Sequence, residues 1–410
     1  MQYKTRSLEG KFLRMSDFFK IVLVTGARQV GKTTMLRHLS GPDRTYVTMD
    51  RQEVRELAKN DPDLFFQAYP PPLLIDEIQK APELLERIKV VVDASEEKGL
   101  FWLTGSQQFQ MMKHVQESLA GRVGILHMYG FSDLEKDGAA ERGEDIQPAC
   151  ELTALQANRQ KRVPKDLRTV FQSIWEGGMP QVQGVDEAMR QEYFSSYVET
   201  YLMRDVGELI DIRNREKFIR FLRACASLIG EQVNYATLAQ AADISQPTAK
   251  TWLAALEGLG IVYLLHPFAN NALKRLTRTP KLYFTDTGLC ADLSYWLTPE
   301  TLMAGAVSGH FFENYVIMEM VKRYSASPMK VNLSYYRDSN KKEIDLVVEE
   351  NGLLHPFEIK KSASPARKEA GKFEVLDRST LKRGAGGIIC LTEDVLPIDQ
   401  LDCYIPCWLF

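Results

Sequence analysis

Short apolar runs separated by polar, helix-period segments dominate the first third of the chain. Val22-Leu23-Val24, Tyr46-Val47-Thr48-Met49-Asp50, Leu73-Leu74-Ile75 and Leu100-Phe101-Trp102-Leu103 each read as a strand, and Val123 to Met128 is a further apolar run. Between them, Thr33 to Leu39, Glu53 to Lys59 and Ala81 to about Ser95 carry helical spacing, with Pro82 in a tolerated first turn. Pro70, Pro71 and Pro72 forbid helix immediately before the third strand. The pattern predicts an α/β parallel-sheet module over residues 1–135, in which Met1 to Lys20 is a lead-in that brings Phe18 and Phe19 to the first strand.

Beyond residue 136 the pattern changes. Asp137 to Pro148 has no periodicity and reads as a linker, and Trp175-Glu176-Gly177-Gly178-Met179-Pro180 reads as a sharp turn. Glu187 to Leu209 is helical in spacing, which makes 136–210 a linker and helical segment. Phe218 to Ile229, Tyr235 to Ala242 and Gln246 to Leu259 form three successive helices, the third capped by Ser245 with Pro247 near its start. The strand Ile261 to Leu265 and a hairpin bearing Lys274, Arg275 and Arg278 follow, so residues 211–280 read as a winged helix. In 281–410 the pattern predicts a strand and turn over Lys281 to Leu289, a helix over His310 to Arg323, and strands over Leu333 to Tyr336, Glu343 to Val348 and Leu354 to Lys360. The last two strands are joined at Asn351-Gly352.

The totals add limits. At 410 residues the chain exceeds what one core serves. Its 51 Lys+Arg against 54 Asp+Glu, a net charge of −3, exclude global affinity for polyanions, so a nucleic-acid site must be a local patch. Arg159, Lys161, Arg162, Lys165 and Arg168 form one basic cluster, open either to a solvated face or to an anionic partner. Cys150, Cys225, Cys290, Cys390, Cys403 and Cys407 are dispersed in apolar stretches, as reduced core thiols are, and Cys403 and Cys407 lack the company a zinc site needs. Charges at Lys4, Arg6, Glu9, Lys11 and Arg14 break any signal-peptide core, and no run reaches the ~18–20 apolar residues of a membrane span. The expectation is a cytoplasmic protein.

The chemistry concentrates after the first strand. Gly26-Ala27-Arg28-Gln29-Val30-Gly31-Lys32-Thr33-Thr34 lies between an apolar strand and a helix start, the context in which backbone N–H groups and a helix dipole cradle phosphates. Gly26 and Gly31 allow backbone that a Cβ would obstruct, Lys32 supplies charge for the β- and γ-phosphates, and the Thr33 hydroxyl suits the Mg²⁺ bridging them. Leu73-Leu74-Ile75-Asp76-Glu77 ends a strand in two acids beside that loop: Asp76 to hold Mg²⁺ and Glu77 to orient and polarise the attacking water. At the end of the fourth strand Ser106, or failing it Thr104, is placed for the γ-phosphate or the water. Arg122, in Leu119-Ala120-Gly121-Arg122, has the place of an arginine finger acting on a neighbouring subunit. The cofactors expected are ATP and Mg²⁺.

Residues 20–135 resemble the AAA+ ATPases, with G-A-R-Q-V-G-K-T as Walker A, L-L-I-D-E as Walker B and L-T-G-S as the sensor-one strand. More narrowly, the chain looks like the prokaryotic ATP-binding proteins that join such a module to a C-terminal domain of unknown function. The resemblance implies oligomerisation, commonly in rings, and an A-G-R arginine at Arg122. It also implies a tyrosine followed by R-D, here Tyr201 with Arg204 and Asp205, so that Arg204 reaches nucleotide or an interface; a helix-end salt bridge is the alternative.

In the C-terminal third, Glu358 and Lys360 share one face of a strand paired with the strand of Asp345. With Glu313 on the preceding helix, this set resembles the PD-(D/E)XK nuclease core, which implies Asp345 and Glu358 as Mg²⁺ ligands and Lys360 as the group that positions or deprotonates water. Lys361, Lys368, Lys372, Lys382 and Arg383 are further candidate phosphate contacts. In the winged helix, Gln246, Thr248, Lys250 and Thr251 can face a DNA groove. The whole predicts an AAA+ ATPase coupled to DNA binding or processing. The rival is an ATP-gated switch with a non-cleaving nuclease-like domain and a protein partner.

Overall fold

The computed structural model describes residues 3–106, 118–139, 150–209, 214–269, 279–338 and 340–410. Strands β1 (Ile21–Gly26), β2 (Thr45–Thr48), β3 (Leu73–Asp76), β4 (Phe101–Ser106) and β5 (Val123–His127) form a parallel sheet in the order β2-β3-β4-β1-β5. Period-two alternation divides its side chains. Ile21, Leu23, Leu73, Ile75, Phe101 and Leu103 enter one core, while Val22, Val24, Leu74, Trp102 and Leu126 enter another that continues into the rest of the chain. Because β1 lies beside β4 and β4 beside β3, Gly26 is level with Ser106 and the end of β3 comes next to Thr104. The ends of three strands thus meet at one rim.

The flanking helices differ from expectation where local chemistry overrides periodicity. The helix Gln52–Asn60 is followed by a second, Pro62–Ala68, whose start is fixed by Pro62 and by the Asp61 carboxylate accepting from Leu64 N at 2.9 Å. After β3, Ile78–Lys80 is a 3₁₀ turn, so the expected helix from Ala81 begins only at Leu84 and runs to Asp93.

Helices Leu152–Gln160, Leu167–Glu176 and Glu187–Ser196 come next, and a π-helical turn, Tyr197–Leu202, joins the last to Met203–Leu209. The sharp turn at Gly177 has φ +74°, and a Cβ there would lie 2.4 Å from Asp286 Oδ1. Asp286 in turn accepts from Gly178 N at 2.7 Å and from Leu289 N at 2.8 Å. The basic cluster is not an open face. Arg162 pairs with Asp137 at 2.9 Å, Lys165 with Asp133 at 3.0 Å, Arg159 with Asp394 at 3.0 Å and Arg168 with Glu300 at 3.1 Å.

Helices Arg215–Ser227, Tyr235–Ala242 and Gln246–Gly258 are each N-capped by a side chain, from Asn214, Asn234 and Ser245. An antiparallel hairpin of β6 (Val262–Leu265) and β7 (Lys281–Phe284) closes this unit. Lys274, Arg275 and Arg278 lie outside the described residues.

The long helix Ser308–Ala326 then precedes a mixed sheet of β8 (Asn332–Arg337), β9 (Glu343–Glu350), β10 (Leu353–Ile359), β11 (Lys382–Arg383), β12 (Gly386–Cys390), β13 (Leu396–Pro397) and β14 (Asp402–Pro406). β8, β9 and β10 are antiparallel neighbours, and β12 and β14 add in parallel. The six cysteines are buried free thiols. Among the described residues no helix is long and apolar enough to cross a membrane.

Candidate functional site

The N-terminal rim is built by close backbone approach. Gly26 has φ +146°, and a Cβ on it would lie 2.1 Å from Met128 O, so only glycine turns the chain here. Gly31, at φ +97°, is needed for its left-handed backbone and opens the helix Lys32–Leu39. Lys32 is 6 % exposed and donates to Gly26 O at 3.0 Å and Ala27 O at 2.8 Å, bracing the loop from inside. Burial pushes its ammonium down to about 8, against the opposing pull of Glu77.

Ala27 and Val30 are buried under the loop, and Arg6 Nη1 donates to Val30 O at 2.8 Å. Thr34 points outward and is exposed. Arg28 forms an ion pair with Asp205, and Tyr193 OH donates to Gln29 Oε1 at 2.7 Å, so the phosphate loop is tied to the helical segment 187–209. Arg204 is half exposed and 3.5 Å from Asp205.

Asp76 gathers the hydroxyls. Thr33 Oγ1 and Thr104 Oγ1 both donate to its Oδ1 at 2.5 Å, and Tyr46 OH donates to Oδ2 at 3.2 Å. A carboxylate and a helix-start hydroxyl in contact are an all-oxygen pair that fits a hard cation such as Mg²⁺. Glu77 sits in the left-handed region, φ 57°, a costly conformation for a non-glycine residue. Its amide donates to Thr104 Oγ1 at 3.1 Å and its carboxylate accepts from Gln79 Nε2. Thr104 is therefore the β4 residue in contact with the acids. Ser106 ends the strand at the level of Gly26, and its side chain lies outside the described residues. Sequence reading missed Arg6, Tyr46, Gln79 and Tyr193, none of which carries a motif.

Arg122 precedes β5, at the end of the sheet away from the phosphate loop of its own chain, where it pairs with Asp93 at 2.6 and 2.9 Å.

The C-terminal acids also come together. Lys360 Nζ lies 2.6 Å from Glu358 Oε2 and 3.3 Å from Asp345 Oδ2, and Ile359 N donates to Asp345 Oδ2 at 2.9 Å. Lys281, on β7, reaches Glu313 at 2.9 Å, Glu343 at 2.6 Å and Asp345 at 3.9 Å. Burial works against the Asp345 carboxylate, but Lys360 and Lys281 outweigh it and hold its pKa low. Burial, then the Asp345 charge, pushes Glu358 up to about 7. Among the described residues no group of three or more acids, histidines or cysteines is arranged to hold a metal ion. Of the downstream cations, Lys361 donates to Met303 O and Ser308 Oγ, Lys372 pairs with Glu369 at 2.8 Å, and Arg383 pairs with Asp402.

On the helix Gln246–Gly258, Gln246, Lys250 and Thr251 are exposed, while Thr248 is partly buried and bonded to Ser245.

Family models match three stretches: residues 18–135 an AAA domain, 167–300 a domain of unknown function (DUF8612) and 308–410 a domain of unknown function (DUF4143). Uncharacterized proteins of Mycobacterium tuberculosis and Mycobacterium bovis are each 28 % identical over 384 residues, covering 92 % of this chain and 78 % of theirs. Among solved structures, a Walker-type ATPase of Pyrococcus abyssi is 15 % identical with a TM-score of 0.42, over 72 % of this chain and 98 % of that one. A DNA replication initiation factor is 12 % identical with a TM-score of 0.24, over 71 % of this chain and 92 % of that one. Residues 18–135 are thus similar to the AAA domain family, and residues 308–410 to the DUF4143 family.

Proposed function

We propose, from the match of residues 18–135 to an AAA domain and the geometry around Asp76, that the protein is a Mg²⁺-dependent ATPase whose phosphate loop gates the helical and C-terminal parts of the chain. The observation that carries this reading is the Asp76 carboxylate, shared by Thr33 and Thr104, across the loop from the buried Lys32. Gly26 to Thr34 cradle the triphosphate with backbone N–H groups, and Lys32 meets its terminal phosphates. Thr33 and Asp76 would hold Mg²⁺, which neutralises charge building on the phosphoryl group. Glu77, next to Asp76 in sequence, orients and polarises the attacking water, and Thr104 fixes the backbone of Glu77 while also holding Asp76.

Gating has a physical route. A triphosphate in the loop offers Arg28 a second anionic partner besides Asp205, and Asp205 leads through its helix toward the three-helix unit. We read that unit and its hairpin as a winged helix that contacts DNA through Gln246, Lys250 and Thr251, with assembly into homo-oligomers bringing Arg122 to a neighbour's nucleotide.

The test is the Glu77→Gln variant. Turnover is expected to fall by about 10²–10⁴ while ATP stays bound, the range a positioned acid–base group contributes. An E77Q protein that turns over ATP at the wild-type rate, or a wild-type protein that gives no heat with Mg²⁺ and ATP, overturns the reading. ATPase rates measured with and without duplex DNA test the DNA arm: a rate unmoved by DNA, together with no retardation of DNA in a gel, removes it.

A further inference from the structure

Lys281 occupies a point at which three of the C-terminal acids converge. Its side chain is 4 % exposed and its ammonium lies 2.9 Å from Glu313, 2.6 Å from Glu343 and 3.9 Å from Asp345. Tyr283 OH donates to Glu313 at 2.6 Å, and the Tyr335 ring lies over Lys281 with its centroid 5.7 Å from Nζ.

The backbone leaves the lysine no latitude. Residue 281 is paired on β7 with Leu265 of β6 and bridged to Gln232. Tyr335 OH donates to Thr279 O at 2.5 Å, and Phe268 N donates to Tyr335 O at 2.6 Å. The hairpin is thus stitched to β8 through both of its arms, at Phe268 and Thr279, just before the lysine.

We infer that Lys281 is the resident cation of this cluster, standing where a PD-(D/E)XK-type site would hold its divalent metal, and that the acids serve to lock the hairpin to the C-terminal sheet. Mg²⁺ needs oxygen ligands at about 2.0–2.1 Å in octahedral array, whereas ammonium is satisfied by carboxylates at hydrogen-bonding distance. An ion entering beside Lys281 would meet a fixed positive charge in a low-dielectric pocket. The second lysine closes the other half: Lys360 lies on Glu358 and Asp345, the remaining pair a metal would use. Between them the two lysines contact Glu313, Glu343, Asp345 and Glu358, while Glu358 Oε1 is buried without a hydrogen-bond partner.

The experiment is Mn²⁺ titration of the nucleotide-free full chain, read by electron paramagnetic resonance and by melting temperature, in a Thr33→Ala background that weakens the phosphate-loop metal position. With Lys281 intact, no micromolar Mn²⁺ site and no metal-dependent shift in melting are expected. Lys281→Met, which keeps the stem and removes the charge, is expected to melt several degrees lower and to gain one Mn²⁺ site that restores the loss. Adding Asp345→Asn is expected to abolish that gain, and Lys281→Ala serves if Met is not accommodated. A micromolar Mn²⁺ site in the Lys281 protein that Asp345→Asn removes overturns the inference, as does a folded Lys281 variant that acquires no metal. Neither outcome bears on ATP turnover, which is read separately.

Discussion

Asp76 receives hydroxyls from a helix, from β2 and from β4, and this convergence makes it the residue least able to change. Asp76→Asn keeps the shape and removes the charge. Mg²⁺-dependent ATP hydrolysis is expected to fall at least about 10²-fold, measured as phosphate release. Gly26→Ala is expected to lose ATP binding in calorimetry, because its Cβ would sit 2.1 Å from Met128 O at a backbone angle that L side chains rarely adopt. An alanine variant that binds ATP like the wild type would show that the turn relaxes. At this scale the contiguous motifs were legible in the sequence, since their chemistry lies within a few residues. Thr104 could be named only as a reserve behind Ser106, because which one touches the acids depends on how far β4 advances past β3.

Among the elements, the segment 187–209 carries the most consequence. It was expected as one uninterrupted helix, and the structure inserts a π-helical turn at Tyr197–Leu202, a device that often marks functional positions. The turn lies one element before Asp205, the partner of Arg28. Asp205→Asn is therefore expected to leave ATP bound but to erase any ATP-dependent change in limited proteolysis of this segment. Persistence of the change in that variant sinks the gating route.

The helix Thr287–Leu293 makes a pH prediction. Burial raises the Asp292 carboxyl to about 6, against the pull of Arg190 and Arg223. A carboxyl raised in the folded state favours folding most below its unfolded value near 3.8, and that contribution is lost as pH rises through about 6. Asp292→Asn should accordingly stabilise the protein at pH 8 by about 1–2 kcal/mol, with allowance for partial exposure, and by nothing near pH 3.5. Denaturant melts at both pH values check it.

For the whole molecule, one core runs from the back of the first sheet through the helices to the last residues, and a buried polar network crosses it. Asp133, fully buried, pairs with Lys136 at 2.8 Å and Lys165 at 3.0 Å and accepts from Tyr315 OH, while its amide donates to Glu319 at 2.8 Å. Asp133→Ala leaves the buried Lys136 ammonium without its carboxylate, while Lys165 keeps Asp137 at 2.9 Å, and is expected to cost about 3–5 kcal/mol, measured by chemical denaturation. The basic cluster at 159–168 is explained by the same scale: its cations answer acids more than twenty residues away in sequence, such as Asp137, Glu300 and Asp394. Strand and helix periods, the phosphate loop and the acid pair at 76–77 were determined by the sequence itself, because hydrophobic alternation, glycine freedom and motif chemistry act over short separations. The lysine inside the C-terminal acids, the Arg28–Asp205 pair and the Thr104–Asp76 hydrogen bond were decided only by the tertiary structure, because each depends on how distant segments are brought together, and charge carries no sequence address.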